Sequence, residues 1–155
     1  MEVADILAER AVLYCTAVQS KSQLFSELAA RAAELTGQPA DAVLQAVESR
    51  EELGSTGLGN GIAIPHGKLA GLKAVTALFA RLETPIEFDA VDDQPVDIVV
   101  MLLAPAGAGA DHLKALSRFA RMLRTEHIVN DVRGMTEPAK IYALLTAPTA
   151  THYAA

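Results

Sequence analysis

Residues 54–68, GSTGLGNGIAIPHGK, set one imidazole, His66, behind a proline at the end of a segment that holds five glycines. Gly54, Gly57, Gly59 and Gly61 permit positive φ and leave backbone N–H groups uncovered. Clusters of such amides form anion-binding concavities. Ile62 and Ile64 alternate, which predicts a short strand with both side chains inward. Pro65 then ends its ladder and fixes the approach to His66, and Gly67 removes bulk on the far side. The result expected is a rigid imidazole within reach of solvent. Two nucleotide-binding motifs are excluded. Gly61 to Gly67 is one residue too long for a phosphate-binding G-x-x-x-x-G-K-[ST] loop, and Leu69 stands where its hydroxyl belongs. Ile62 replaces the third glycine of G-x-G-x-x-G. Spacing alone also fits a capping or solvated histidine. His127, in the charged segment TEHIVND, and His152, in the tail, read as solvated residues.

Alternating strands and helices must position this loop. AVLYCTAV (11–18) reads as a short buried strand. Ser20 and Gln23 look like a capping box for the helix that follows, with Leu24, Leu28 and Leu35 on one face and Gly37 as its stop. Pro39 opens a second helix as an N1 proline, with Val43, Leu44 and Val47 apolar and Arg50 near its end. After the glycine loop, AVTALFARL (74–82) reads as a strand and TPIEFDAVDDQP mostly as turn, with Asp92 and Asp93 as turn residues before Gln94 and Pro95. VDIVVMLLAP (96–105) is a central strand by its near-continuous apolar run. A helix with Asp111 as N-cap and a stripe of Leu113, Leu116, Phe119, Ala120 and Leu123 comes next. Helical pieces at about 126–133 and from Glu137 to Leu145 complete the order. This pattern predicts one α/β domain over 1–155, with its core at about 5–146 and a loose tail at 147–155.

The totals agree with that class. The chain has 155 residues, 51% apolar and 21% charged, with aromatics at 5% and no Trp, so the core is aliphatic. A net charge of −6 argues against nucleic acid as a partner. The single cysteine, Cys15, cannot form an internal disulfide. The start, MEVADILAER, has no apolar targeting region, and the longest apolar run, IVVMLLA, is too short to span a bilayer. A soluble, cytoplasmic protein without membrane insertion is expected. No zinc-ligand spacing is seen, so neither metal nor cofactor is expected.

The segment RE-ELGSTGLGNGIAIPHGK, continued by FDAVDDQPVDIVVMLLAP and DHLKALSRFARMLR, closely resembles the IIA components of the bacterial phosphoenolpyruvate-dependent phosphotransferase system, fructose/mannitol class. The resemblance covers roughly residues 5–146 and is greatest to the nitrogen-regulatory type. It implies a mixed β-sheet with helices on both sides. It implies that His66 accepts a phosphoryl group on Nε2 from an HPr-like carrier. His112 matches the family's second active-site histidine, and Arg50 its active-site arginine. Regulatory targets such as sensor kinases or potassium transporters are implied as partners; the oligomeric state is not.

The chemistry is compatible. Phosphoryl transfer needs in-line positioning and donors for the equatorial oxygens. A neutral imidazole is already nucleophilic near pH 7. His112 at a helix start can donate to the phosphoryl group, Arg50 can clamp it, and Ser55, Thr56 and the amides from Gly57 to Gly61 can add donors. Arg50 also fits a plain pairing with Glu48 or Glu51, His112 a surface position, and Lys68 a solvated face. Three functions stay open: a regulatory phosphocarrier, a sugar-specific IIA subunit that passes phosphate to a IIB domain, and a binding module without phosphate chemistry. For the first, Leu58 and Ile62 are candidates to ring His66 as partner surface.

Overall fold

The structure, a computed structural model, describes residues 1–148. His152 and most of the expected loose tail lie outside them. The longest apolar run forms β6 (Val96–Pro105), and every residue from Ile98 to Ala104 is fully buried. A strand buried on both faces must have neighbours on both edges and cover on both faces. On one edge it pairs antiparallel with β5 (Thr76–Ile86), which pairs parallel with β1 (Leu7–Cys15). On the other edge it pairs parallel with β3 (Ile62–Ala63) and β4 (His66–Leu69), and β2 (Gly57–Gly59) lies antiparallel outside β3. Among the described residues the fold is a mixed, open six-stranded sheet with five α-helices and a short 3-10 turn at Val3–Asp5, the class expected.

The edge carrying β3 and β4 is one interrupted strand. Ile62 faces Ile98 and His66 faces Leu102, a constant offset of 36 positions. Pro65 breaks the ladder without slipping the register, because its carbonyl still accepts from Leu102 N at 2.9 Å. Pro65 was expected to end the ladder. Instead pairing resumes at once, and His66 is the first residue of the resumed strand.

The helices start and stop on local chemistry. Ser20 Oγ accepts from Gln23 N at 3.1 Å to cap α1 (Lys21–Thr36), and Gly37 closes it at φ 78°. The reciprocal bond runs from Gln19 N to Gln23 Oε1, one residue before the cap rather than at it. Pro39 is the N-cap of α2 (Ala40–Glu52), not its first residue, and Val43 and Val47 are fully buried. α2 packs on β4, α3 (Gly109–Leu123) on β6, and α5 (Pro138–Leu145) on β1, with α4 (Glu126–Arg133) between α3 and α5.

Three other expectations are corrected. β1 begins at Leu7 and ends at Cys15; its exposed residues Ala8–Arg10, beside an irregularity in the ladder, disguise the start. β5 runs on through Pro85 to Ile86, where its register against β6 shifts and a missing N–H is tolerated. α3 begins before Asp111: Ala108 is at its cap, and Asp111 lies in the first turn. Its buried face is His112, Ala115, Phe119, Met122 and Leu123, while Leu113 is 65% exposed. Of the expected stripe, Phe119 and Leu123 are buried and Leu116 and Ala120 pack against the core; only Leu113 falls outside it, because His112 takes the core position.

Candidate functional site

Asn60 and Gly61, at φ 57° and 80°, link β2 to β3. Two consecutive left-handed residues make the hairpin turn for which Asn-Gly is the strongest sequence signal. The tip is held from both sides. Asn60 N donates to Asp92 Oδ2 at 3.0 Å, and Asn60 O accepts from Arg133 Nη2 at 2.6 Å. Arg133 is itself paired with Asp97 at 2.9 Å. Gly61 O accepts from the backbone N–H groups of Asp97 and Ile98, and a side chain at 61 would overlap the Arg133 guanidinium. Gly57 is equally confined: a Cβ there would come within 2.7 Å of Ala90 Cβ, and its N–H donates to Ser55 Oγ at 3.1 Å. Both glycines thus serve close packing of the loop.

His66 is half-buried, with Nδ1 2.9 Å from the Ile64 carbonyl oxygen. A carbonyl only accepts, so Nδ1 carries the proton and Nε2 presents the lone pair. His112, from the first turns of α3, places its ring 5.4 Å from the His66 ring at an interplanar angle of 68°. It is 7% exposed, and its Nε2 is buried without a hydrogen-bond partner among the described residues. Burial, then the neighbouring His66 and Lys68, hold its pKa below the usual histidine range, so the ring is neutral.

Arg50, Ser55, Thr56 and His66 line one cavity of about 330 Å³, closed by Leu116, Ser117 and Ala120 of α3 and by Leu58 and Ile64. Arg50 Nη1 donates to Gly54 O at 2.9 Å, and among the described residues no salt bridge joins Arg50 to Glu48 or Glu51. Glu51 is engaged elsewhere: it accepts from Thr56 Oγ1 at 2.6 Å, from Thr56 N, and from Lys21 Nζ at 2.9 Å. Burial pushes its carboxyl up, but the bonds from Thr56 and Lys21 outweigh this and hold it below the usual range. Ser55 Oγ donates to Phe88 O at 3.1 Å. The hydroxyls of Ser55 and Thr56 therefore brace the loop, while Gly61 packs on Arg133. Of the two partner-surface candidates, Leu58 is 51% exposed and Ile62 is buried.

Sequence reasoning missed Glu51, Ser117 and the Arg133–Asp97 clamp. The Asn-Gly pair was the available signal for the hairpin. Ser117 lies five positions after His112, which carries no sequence signal of its own.

Residues 5–147 match the family described as the phosphoenolpyruvate-dependent sugar phosphotransferase system, EIIA 2. The nitrogen regulatory protein of Bradyrhizobium diazoefficiens is 52% identical over 151 residues, covering 97% of this chain and 99% of that protein. That of Escherichia coli K12 is 42% identical over 139 residues, covering 88% and 83%. The crystal structure of the nitrogen regulatory protein IIA-Ntr from Neisseria meningitidis superposes with a TM-score of 0.86 at 34% identity, covering 93% of this chain and 99% of that one. The fold is thus matched by the Neisseria structure, and the sequence by these proteins, across most of the chain, and the chain belongs to the EIIA 2 family of the phosphoenolpyruvate-dependent phosphotransferase system.

Proposed function

We propose that this protein is a phosphohistidine carrier of the nitrogen-regulatory type. His66 accepts a phosphoryl group from an HPr-like phosphocarrier, and its phosphorylation state regulates partner proteins such as sensor kinases or potassium transporters. The observation that carries the reading is the bond from His66 Nδ1 to the Ile64 carbonyl oxygen. It leaves Nε2 as the only ring atom with a lone pair. Nε2 attacks phosphorus in line as the donor's N–P bond breaks. The donor ring keeps its own proton and returns to neutral imidazole. His66 keeps its Nδ1 proton and becomes a positively charged ring, stabilised by the same carbonyl. No base and no proton transfer are required.

The surroundings favour the transferred group. His112 Nε2, buried and unpartnered, is a donor for a phosphoryl oxygen when the ring is in that tautomer. Arg50 offers the rest of its guanidinium fork from a position fixed by Gly54. The phosphoryl group sets about two negative charges, against one positive charge on the ring, beside the exposed Leu58, enough to change which surfaces dock there.

The test is incubation with phosphoenolpyruvate, Enzyme I and an HPr-type carrier. An acid-labile, alkali-stable label on wild type, absent from His66→Ala, is expected. No label with competent donors favours a module that only binds. The family's description as a sugar system keeps a second reading, a sugar-specific subunit. Rapid passage of the label to an isolated fructose or mannitol IIB domain is the result that reading requires.

A further inference from the structure

We propose that the solvent face of α3 is a docking surface for an acidic protein segment. Lys114, Arg118, Arg121 and Arg124 fall within about 120° of the helix circumference at 100° per residue. They are four of thirteen basic residues, and residues 114–124 contain no acid. Setting their four charges aside takes the net charge from −6 to −10 for the rest of the chain, so the sign reverses locally.

The field of the helix accounts for Arg121 and Arg124 at its C-terminal end. It does not account for Lys114, which lies in the second turn. Among the described residues no salt bridge is made by Lys114, Arg121 or Arg124, whereas Arg118 lies 3.6 Å from Glu2. Two exposed apolar side chains, Met1 and Leu113, stand beside these charges and help line a hollow of about 350 Å³ on this face. Cations around an apolar hollow complement a protein segment with acidic residues and one apolar anchor. The −10 elsewhere disfavours nucleic acid, and two apolar side chains are too few to hold a membrane.

Ser117 lines both this hollow and the His66 cavity. On the reading that His66 is phosphorylated, the added anion sits beside the basic face and competes with the acidic segment. The unphosphorylated protein is then the better binder.

The probe is a fluorescein-labelled twelve-residue peptide of glutamates with one central leucine, followed by anisotropy at low and moderate salt. Saturable binding is expected that weakens about tenfold in Lys114→Glu/Arg121→Glu/Arg124→Glu and about threefold in Leu113→Ser. Lys73→Glu/Lys140→Glu, with charge reversed on other surfaces, should bind as wild type. Thermal melts confirm that each variant is folded. Wild-type affinity in the triple variant overturns the proposal, as does tighter binding of duplex DNA or phosphatidylglycerol vesicles than of peptide. Phosphorylated protein should bind less tightly, and equal affinity refutes the coupling. Failure to take up phosphate counts against the carrier reading alone, since the charge-reversal arm needs no phosphate.

Discussion

Gly67 follows the candidate acceptor directly, and the space behind it is filled by the backbone of α2. A Cβ at this position would stand 3.1 Å from the carbonyl carbon and Cβ of Ala46, and 3.2 Å from its carbonyl oxygen. Two of these three atoms belong to the backbone of α2, which has no rotamer to yield. Gly67→Ala therefore separates α2 from β4 by a few tenths of an ångström or strains both. Overpacking of this kind costs about 1–3 kcal/mol. For a chain of this size that corresponds to a fall in melting temperature of about 2–12 °C. Ala46→Gly as a second change removes one contact and leaves the two backbone ones, at a further helix cost of about 1 kcal/mol, so it should not rescue. The displacement is also felt at Nε2 of His66, because β4 carries both residues. In-line transfer is sensitive to sub-ångström misplacement, and phosphoryl uptake should slow about tenfold or more at temperatures where the variant is folded. The assay is a thermal melt paired with the rate of label uptake from a phosphorylated HPr-type donor. Unchanged melting together with unchanged uptake would refute the claim that α2 braces the histidine strand.

Other perturbations test separate links. The folded-state pKa of His112 is depressed, chiefly by burial, below its unfolded value of about 6.5. The unfolded chain then binds the extra proton, so His112 makes stability decline as pH falls through about 6.5 toward the folded value; His112→Gln should flatten this part of a denaturation series from pH 7.5 to 5.5. Thr56→Val deprives the Glu51 carboxylate of its 2.6 Å donor and should cost about 1–3 kcal/mol in denaturant titrations. Arg50→Lys keeps the charge but loses the planar fork anchored on Gly54, and should slow phosphoryl uptake about tenfold with little change in melting.

Much of the architecture was legible because composition and position agreed. The seven apolar residues after Asp97 have no polar face to expose, so their strand had to be central. Ser20 and Gly37 marked the ends of α1 through one-residue chemistry that needs no tertiary context. Legibility failed where an element's identity depends on its neighbours. Ala8–Arg10 lie in the irregular stretch of β1 between its pairings with β5 at Leu7 and from Val12 onward. Leu113 is left in solvent because the core takes His112 instead, and hydrophobicity alone cannot predict that exchange. At the site, His66 and His112 are brought together as the resemblance implied. The bracing roles of Thr56 and Ser55 follow from partners at positions 51 and 88, and no local pattern of the loop encodes them.

The position of β6 in the chain has a consequence for synthesis. β3 and β4 gain their long sheet partner only from residues 96–105, about two thirds of the way along the chain. Until that segment leaves the ribosome, β3 has just the three-residue β2 as a strand partner, and β4 has only α2 packed against it. A nascent chain stalled before Val96 thus contains the acceptor residue without the strand that sets its register, and competence for transfer arrives late.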